Sequence, residues 1–374
     1  MKIKDFKLEE YFAKHEFSAK YLLCSSDCET LSVNELLSLE DNSIEKLKKK
    51  RLGYTESLGD PILRDEISRL YTNISSKDVI VFSGAEEAIF IFMNVLLNKG
   101  DHIIVQYPAY QSLFEVATAI GCQVTKWIMT DENYWELDIK FLEENIKKNT
   151  KAIIVNCPHN PTGYLMSKKK LRSIIAIAKE NGIHLFSDEV YRLLEYDKNH
   201  RLPNASDCYN KGISLGVMSK VFGLAGLRIG WIATKDKALY NKIASFKNYT
   251  TICNSTLSEF FAILALRNKD IILQRNLKII DDNLKILEHF FKKYKLLFKW
   301  IKPKAGSIAF PKILFNENID DFCLELLQNK SVLLMPSSIF NYGDKHFRIG
   351  FGRKNMNQCM FRLEEFLEEQ IVDY

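Results

Sequence analysis

Between residues 79 and 233, short apolar segments rich in β-branched residues alternate with longer segments in which apolar residues recur at helical spacing. The short segments predict buried strands, and the longer ones predict helices. A helix between successive strands indicates a crossover connection, which makes the strands parallel and covers both faces of the sheet. We therefore expect an α/β fold whose large domain has a mostly parallel seven-stranded sheet between helices. The predicted strands are 79–82, 102–106, 123–129, 152–156, 183–186, 213–217 and 229–233.

The pattern changes after about residue 255, where strand candidates become short and sparse. Residues 259–294 predict one or two long helices, and a helix candidate lies at 320–329 among strand candidates at 307–310, 332–335 and 347–351. A chain of 374 residues exceeds the usual size of one domain. The N-terminal arm and the C-terminal segment are expected to form a smaller α+β domain together. The predicted parts are an N-terminal arm (1–45), a large domain (46–258), and a linker helix with a C-terminal small domain (259–374).

The composition limits the classes of partner. A net charge of +5 over the whole chain is too small a bias to indicate nucleic-acid or membrane binding. No apolar run approaches the length of a membrane-spanning helix, and the residues after Met1 lack the apolar core of a signal peptide. The eight cysteines include no C-x-x-C pair and no set at zinc-ligand spacing. We predict a cytoplasmic protein with reduced thiols and with no metal, nucleic-acid or membrane partner.

One lysine has the sequence surroundings of a residue used in covalent catalysis. Lys220 lies between an apolar run and a glycine-rich turn, and Arg228 follows eight residues later. A lysine in a partly desolvated cleft is more often neutral, and a neutral amine attacks aldehydes. An arginine fork binds phosphate, and glycines let the backbone approach a ligand closely. These surroundings predict pyridoxal 5'-phosphate as the cofactor, against the alternative that Lys220 is one solvated lysine among many.

Two polar residues follow predicted strands. Asn160 lies in the turn after strand 152–156, and Asp188 is the second residue after the strand that ends at Phe186. Ligand groups in α/β sheets come from the loops at the carboxyl ends of the strands, so we expect both residues near Lys220. A buried carboxylate needs a cationic partner, such as a protonated pyridine nitrogen. The alternatives are an ordinary turn at Asn160 and a helix cap at Asp188.

Two helix starts offer further candidates. Gly84 and Ala85 open a predicted helix whose first backbone amides suit a phosphate, with an ordinary cap as the alternative. Tyr110 starts another predicted helix and can stack on a flat ring, with a core aromatic as the alternative.

Three motifs reinforce these candidates. They are H-N-P-T-G at 159–163, S-D-E-V-Y at 187–191 and S-K-x-x-G-x-x-G-x-R-x-G at 219–230. In these motifs and their order the chain resembles the fold-type-I pyridoxal-phosphate enzymes, and among them the class I/II aminotransferases related to aspartate aminotransferase. The resemblance extends over roughly residues 53 to 353. It implies transfer of the amino group of an L-amino acid to the cofactor, which becomes pyridoxamine phosphate, and from there to a 2-oxo acid.

The resemblance implies roles around the cofactor ring, which the large domain is expected to bind. Lys220 is expected to form the internal aldimine and then to act as the general acid and base at the substrate Cα. Asp188 is expected to pair with the ring nitrogen, and Tyr191 and Asn160 to hydrogen-bond the ring oxygen. Tyr110 is expected to stack on the ring. Lys220, Asp188 and Tyr191 are therefore the predicted catalytic residues.

The resemblance also implies contacts to the phosphate and the substrate. Arg348 is expected to clamp the substrate α-carboxylate, with Asn160 as a second substrate contact, whereas Arg353 is expected to be structural. A tyrosine from the neighbouring subunit on the phosphate implies a homodimer with shared active sites. The residues expected to hold the phosphate are Gly84, Ala85, Ser219, Arg228 and, from the neighbouring subunit, Tyr54.

Two features depart from the family pattern. Just upstream of the lysine the family often has Ser or Thr against the phosphate, and Val217 there predicts one phosphate contact fewer. The family usually offers an N-terminal glycine near the substrate carboxylate, whereas no glycine precedes Gly53. We expect residues 24–29 to take that place. Asp27 and Glu29 would then favour a cationic amino acid such as arginine, against the alternative that both lie in a solvated loop.

The same cofactor supports other reactions, because it carries the hard chemical step and the pocket selects the product. We predict an aminotransferase. The alternatives are a lyase, decarboxylase, cyclase or oxidase acting on an amino acid, a cationic one included, and a non-catalytic regulator that binds pyridoxal phosphate.

Overall fold

The computed structural model describes residues 2–372, so Met1, Asp373 and Tyr374, which the predicted arm and small domain include, lie outside the described residues. Within 2–372, no helix has both the length and the apolar composition that a membrane crossing needs. The α-helices α1 to α14 span Lys7–His15, Val33–Leu37, Ser43–Lys48, Pro61–Ser68, Ala85–Leu96, Ser112–Ile120, Ile139–Asn145, Lys168–Glu180, Ala205–Cys208, Lys237–Lys247, Thr256–Arg267, Lys269–Lys293, Ile319–Lys330 and Met356–Val372. The strands β1 to β14 span Tyr21–Leu22, Val79–Phe82, His102–Tyr107, Gln123–Ile128, Thr150–Asn156, His184–Asp188, Gly212–Val217, Gly230–Thr234, Phe298–Lys299, Ile308–Ala309, Lys312–Ile313, Val332–Leu333, Met335–Pro336 and Phe347–Gly350.

Seven strands form the central sheet in the order β2-β8-β7-β6-β5-β3-β4. The strands from β7 to β4 in that order are parallel, and β8 runs antiparallel to both β7 and β2. The predicted α/β class and the mostly parallel seven-stranded sheet are confirmed. β8 is reversed because the segment that joins it to β7 holds only a 3₁₀ turn, whereas a parallel connection needs a longer crossover, usually with a helix.

The inner strands of the sheet are buried on both faces, whereas the edge strand β4 is largely exposed. Side chains on a strand alternate between its two faces. On β3, Ile103 and Val105 join the hydrophobic core that contains Phe92 of α5. Ile104 between them joins the core on the opposite face, which contains Ile174 of α8. Burial of each such side chain stabilises the fold by about 1.5–3 kcal/mol. The continuous apolar character of the strands is therefore explained by a sheet that helices cover on both sides.

The N-terminal and C-terminal segments pair with each other. β1 runs parallel to β12, with Tyr21 opposite Val332. β14 is the central strand of a three-stranded sheet between β10 and β13. The predicted helical region 259–294 consists of two helices, α11 and α12. These pairings support the division into arm, large domain and small domain, which stays a prediction.

Candidate active site

A cavity of about 480 Å³ opens at the carboxyl ends of the parallel strands. Its size suits a small-molecule cofactor with its substrate. Tyr54 does not line it, and the Tyr54 side chain is 91% exposed. The predicted residues that line the cavity are Ala85, Tyr110, Asn160, Asp188, Tyr191, Ser219, Lys220, Arg228 and Arg348.

The order of the strands explains why residues far apart in sequence meet at this cavity. β5 and β6 are parallel neighbours, so the turns that follow them lie side by side. Because β8 is antiparallel, its first residue, Gly230, pairs with Val217 at the end of β7 and with Phe82 at the end of β2. The turn that carries Lys220 and Arg228 therefore lies beside the start of α5.

Lys220 is half-buried and faces the cavity. Its Nζ donates a hydrogen bond to Ser26 Oγ at 2.8 Å. Its backbone carbonyl accepts a hydrogen bond from the Cys28 amide at 3.2 Å. Residues 25–27 line the cavity as well, so part of the segment 24–29 lies beside the lysine.

Asp188 is buried at the end of β6 and forms no ion pair within the described residues. Its Oδ1 accepts one hydrogen bond from the Val190 amide at 3.2 Å. Burial raises the pKa of Asp188 to about 7, although this hydrogen bond and the charge of Lys220 act in the opposite direction. A cation placed against a buried carboxylate restores its ionised form. Asp188 thus fits a protonated ring nitrogen.

Tyr191 and Asn160 lie in the same wall of the cavity. The Tyr191 hydroxyl is buried, and no described residue forms a hydrogen bond with it. Leaving such a group unpaired costs about 1–3 kcal/mol, which a ligand acceptor would recover. Asn160 is fixed by two hydrogen bonds. Its backbone amide donates to Asn156 Oδ1 at 2.7 Å, and its side-chain Oδ1 accepts from Arg348 Nη1 at 3.2 Å. The tyrosine hydroxyl therefore fits a ring oxygen.

The start of α5 and the Arg228 turn form a cradle with little side-chain bulk. Gly84 has a φ of 85°, and a Cβ there would lie 2.5 Å from Arg228 Nη2. A Cβ on Gly230 would lie 2.6 Å from the Gly84 carbonyl carbon. Ala85 begins the 12-residue α5, whose first backbone N–H groups have no partner within the helix. A helix start bounded by glycines beside an arginine fits a phosphate.

Tyr110 lines the cavity from the loop before α6. The helix begins at Ser112, so Tyr110 precedes it and does not start it as the sequence suggested. The Tyr110 hydroxyl donates to Glu9 Oε1 at 3.1 Å, and its ring centroid lies 5.1 Å from that of Phe6. These two contacts with the N-terminal arm fix the plane of the tyrosine ring.

Arg348 is only 1% exposed, although it lines the cavity. Its Nε and Nη2 donate to the Cys24 carbonyl at 3.1 and 2.9 Å, and the third contact is the Asn160 bond given above. The rings of Phe12 and Phe340 lie 5.9 and 5.7 Å from the guanidinium carbon. The cation is therefore held in one orientation at the cavity wall.

The structure does not support the expected role of Asp27 and Glu29 in choosing a cationic substrate. Asp27 lines the cavity, but its two oxygens accept hydrogen bonds from Arg353 Nε and Nη2 at 3.2 and 2.9 Å. Glu29 does not line the cavity, and its carboxylate accepts from the Lys354 amide at 2.8 Å. Both carboxylates already have partners, and the pairing of Arg353 agrees with its predicted structural role.

Helix α1 contributes residues to the cavity that sequence reasoning did not single out. Glu9 and Phe12 of α1 line it, and so does Glu16, which directly follows the helix. Their position depends on long-range contacts such as the Tyr11 hydroxyl bond to the Leu334 carbonyl at 2.7 Å, which no local pattern reveals. The one available signal was the spacing of the two carboxylates, seven residues apart and thus on one helix face.

The cavity has three unmet requirements that coincide with the groups of pyridoxal phosphate. They are a buried carboxylate without a cation, a buried hydroxyl without an acceptor, and a glycine-bounded cradle beside an arginine. Lys220, the amine that an aldehyde needs, faces the same cavity. The fold and the site together define a pyridoxal-phosphate-dependent enzyme.

Comparison with known proteins gives the family. The family model for class I and II aminotransferases matches residues 19–360. The chain therefore belongs to the class I and II aminotransferase family and is a pyridoxal-phosphate-dependent transaminase.

Individual relatives agree with this membership. The crystal structure of a pyridoxal-phosphate-dependent aminotransferase from Streptococcus suis is 33% identical, with a TM-score of 0.93 over 99% of each chain. The pyridoxal-phosphate-dependent cyclase OrfR is 27% identical, with a TM-score of 0.91 over 99% of this chain and 98% of its own. A probable aspartate aminotransferase from Methanocaldococcus jannaschii is 28% identical over 89% of this chain and 91% of its own. The family resemblance and the predicted cofactor are confirmed.

Proposed function

We propose that this transaminase moves the amino group of an L-amino acid to a 2-oxo acid, with Lys220 as the residue that transfers the proton. Pyridoxal phosphate, when bound, supplies the electron sink for the charge left at the substrate Cα. The observation that carries the proposal is that Lys220, Asp188 and Arg348 all face one cavity. The reaction needs a base, a partner for the ring nitrogen and an anchor for the substrate carboxylate, and these three residues supply them.

Arg348 is the proposed anchor of the substrate α-carboxylate, with Asn160 beside it. The Cys24 carbonyl and Asn160 Oδ1 hold the guanidinium in place before substrate arrives, which reduces the cost of ordering it on binding. With the carboxylate held there, Lys220 Nζ removes the proton from the substrate Cα and would then deliver it to the C4′ carbon of the cofactor. The second half of the reaction, on the 2-oxo acid, would move a proton in the reverse direction. Ser26, which accepts a hydrogen bond from Nζ, orients the amine.

Asp188 is proposed to hold the proton on the ring nitrogen. The support is its buried carboxylate, whose pKa burial raises because no cation faces it. Tyr191 is proposed to donate to the ring oxygen together with Asn160, which gives the unpaired hydroxyl an acceptor. The ring of Tyr110 is proposed to lie against the cofactor ring.

The proposed phosphate site uses a backbone amide, a hydroxyl and one guanidinium. Ala85 supplies a backbone amide at the start of α5, and Ser219 and Arg228 supply a hydroxyl and a cation. Gly84 contributes space for the phosphate, because its own amide already donates to the Phe82 carbonyl at 2.9 Å. Val217, which also lines the cavity, has no polar side-chain atom and adds no hydrogen bond.

We further propose a homodimer in which the partner's Tyr54 completes each phosphate site. The support is the 91% exposure of Tyr54, together with exposed apolar neighbours such as Leu52 at 77%. Sedimentation of the purified protein at micromolar concentration is expected to give twice the chain mass. A monomer that retains cofactor would contradict the shared site.

A cytoplasmic location is also proposed. All eight cysteines are free thiols, and proteins in oxidising compartments usually carry disulfides instead.

The function is tested with the purified holoenzyme and a panel of L-amino acids. One half-reaction is expected to yield the matching 2-oxo acid in amounts equal to the enzyme, with loss of the cofactor's visible absorbance. A second 2-oxo acid is then expected to restore that absorbance. Lys220→Ala is the control and is expected to produce no 2-oxo acid. Release of ammonia or carbon dioxide, or a cyclised amino acid without 2-oxo acid, would contradict transamination.

A further inference from the structure

The cavity holds more carboxylates than the proposed reaction uses. Asp188 serves the ring nitrogen, and Asp27 is paired with Arg353. Glu86 accepts a hydrogen bond from Ser112 Oγ at 3.0 Å, and burial raises its pKa to about 7, so that it is neutral for part of the time near neutral pH. Two cavity carboxylates are left over, Glu9 and Glu16, and both belong to the N-terminal arm.

These two residues form one surface, which we call the acidic wall. Glu9 lies in α1, and Glu16 directly follows His15, the last residue of α1, with helical backbone angles. Residues seven apart lie on the same face of a helix, and Phe12 between them also lines the cavity. The helix is fixed in place by Tyr11, whose hydroxyl donates to the Leu334 carbonyl. The acidic wall is therefore a built part of the cavity.

Glu16 has no partner of its own. Within residues 2–372 its carboxylate forms no hydrogen bond or ion pair, whereas Glu9 accepts one bond from Tyr110. Desolvation raises the pKa of Glu16, and the charge of Arg353 only partly offsets this. Arg353 has its Nε and Nη2 on Asp27, so the cation whose charge acts most on Glu16 is already paired with another carboxylate. A cationic ligand group would remove this imbalance.

A second polar group in the cavity lacks a partner. The Ser25 hydroxyl is buried, with the residue 5% exposed, and no described atom forms a hydrogen bond with it. Ser25 lines the same cavity. A hydroxyl oxygen accepts hydrogen bonds from ammonium and guanidinium groups. This observation is independent of the acidic wall and indicates a ligand with several hydrogen-bond donors.

We propose that the acidic wall selects amino acids whose side chain ends in an amine or a guanidinium, with Glu16 as the main ion-pair partner and Glu9 as the second. This inference rests on the proposed function, because Arg348 must hold the α-carboxylate for the side chain to extend towards α1. A substrate with a side-chain carboxylate is disfavoured, since it would need a cation other than Arg348, and Arg353 is held by Asp27. The wall would also repel it.

The test uses ligands that carry the α-carboxylate but no α-amino group, so that they bind without reacting. δ-Guanidinovalerate has the arginine side chain, δ-ureidovalerate is its neutral isostere, and pimelate is a dicarboxylate of similar length. Calorimetry on the holoenzyme is expected to give roughly tenfold tighter binding of the guanidino acid than of the ureido acid, with pimelate weakest. Equal affinities for the first two ligands, or pimelate binding tightest, would overturn the proposal.

Substitutions test whether the preference for the guanidino acid comes from the acidic wall. Glu16→Gln is expected to bring the guanidino and ureido acids to within about threefold of each other. Glu10→Gln is the matched control, because Glu10 lies in the same helix, is exposed and does not line the cavity. It is expected to leave all three affinities unchanged. In Glu16→Arg, pimelate is expected to become the tightest of the three. If Glu10→Gln has the same effect as Glu16→Gln, the preference reflects general charge and the wall has no specific role.

Turnover separates this inference from the proposed function. If no amino acid in the panel yields a 2-oxo acid, transamination fails whatever the binding data show. If neutral or acidic amino acids are converted with a higher kcat/KM than arginine and lysine, transamination stands and the selection by Glu16 fails.

Discussion

The burial of the Asp188 carboxylate leads to a prediction about the free energy of unfolding. The sign of the expected change depends on whether the cofactor is bound. Burial raises the pKa of Asp188 from 3.8 to about 7. A carboxyl group whose pKa is raised by folding does not lower the free energy of unfolding at low pH. It lowers that free energy increasingly as the pH rises above the pKa of the group in the unfolded chain. One pKa unit is worth 1.36 kcal/mol, so the full penalty in the cofactor-free protein is about 4 kcal/mol at pH 8 and about 2 kcal/mol at pH 5, as upper limits.

Asp188→Asn removes this penalty, because the amide is neutral and its oxygen can still accept the hydrogen bond from Val190. In the cofactor-free state the variant is expected to be more stable than the wild type at pH 8, and by a smaller margin at pH 5. Adding pyridoxal phosphate is expected to reverse the order, since only the ionised carboxylate pairs with the ring nitrogen. Urea unfolding at both pH values, with and without cofactor and at one protein concentration, measures the four differences.

Asp131 provides the opposite control. It is buried, but Lys299, whose Nζ lies 2.7 Å from Oδ2, and the nearby His346 and Lys312 outweigh burial and hold its pKa below the usual range. A lowered pKa means stability that is present at neutral pH and lost on acidification. Asp131→Asn is therefore expected to destabilise the protein at pH 8, by roughly 1–2 kcal/mol because the partner lysines are partly exposed. Equal effects of the two substitutions at pH 8 would refute the reasoning from burial and pairing.

Three other substitutions test the remaining contacts. Gly84→Ala places a Cβ 2.5 Å from Arg228 Nη2 at a positive φ, so cofactor affinity in a fluorescence titration is expected to fall at least tenfold; unchanged affinity would exclude the cradle as the phosphate site. Tyr191→Phe removes a buried hydroxyl without a partner, so the unfolding free energy of the cofactor-free protein is expected to rise by up to about 1–3 kcal/mol, while the pH titration of the bound cofactor's absorbance shifts. A titration that does not move would count against the ring-oxygen contact. Arg348→Lys loses the guanidinium fork, so KM for the amino acid is expected to rise roughly 100-fold with the cofactor spectrum retained; a change in kcat alone would point to another role.

The sequence predicted the large sheet because its strands are continuous apolar runs between helices, a pattern that buried parallel strands require. The same reasoning predicted that Asn160 and Asp188 would approach Lys220, since the ends of parallel strands share one edge. The antiparallel direction of β8 could also be inferred from the sequence, because the connection from β7 contains no crossover helix. Its direction explains how Arg228 comes to lie beside Gly84.

The N-terminal contribution could not be predicted from local patterns. Tyr21 pairs with Val332, and the Cys24 carbonyl binds Arg348, across more than 300 residues of sequence. The pairing of Asp27 with Arg353 also joins residues that are far apart in sequence. It leaves Glu16 as the cavity carboxylate without a partner among the described residues. The role of a carboxylate depends on which cation it pairs with in the folded chain, and tertiary contacts determine that pairing.

The central claim is that Lys220 is the residue that holds the cofactor. Borohydride reduction of the holoenzyme fixes the cofactor on the amine that carries it, and mass spectrometry of a protease digest then locates the added mass. The mass is expected on the peptide that contains Lys220 and on no other. A cofactor found on a different lysine, or amino-acid conversion that persists in Lys220→Ala, would contradict the assignment.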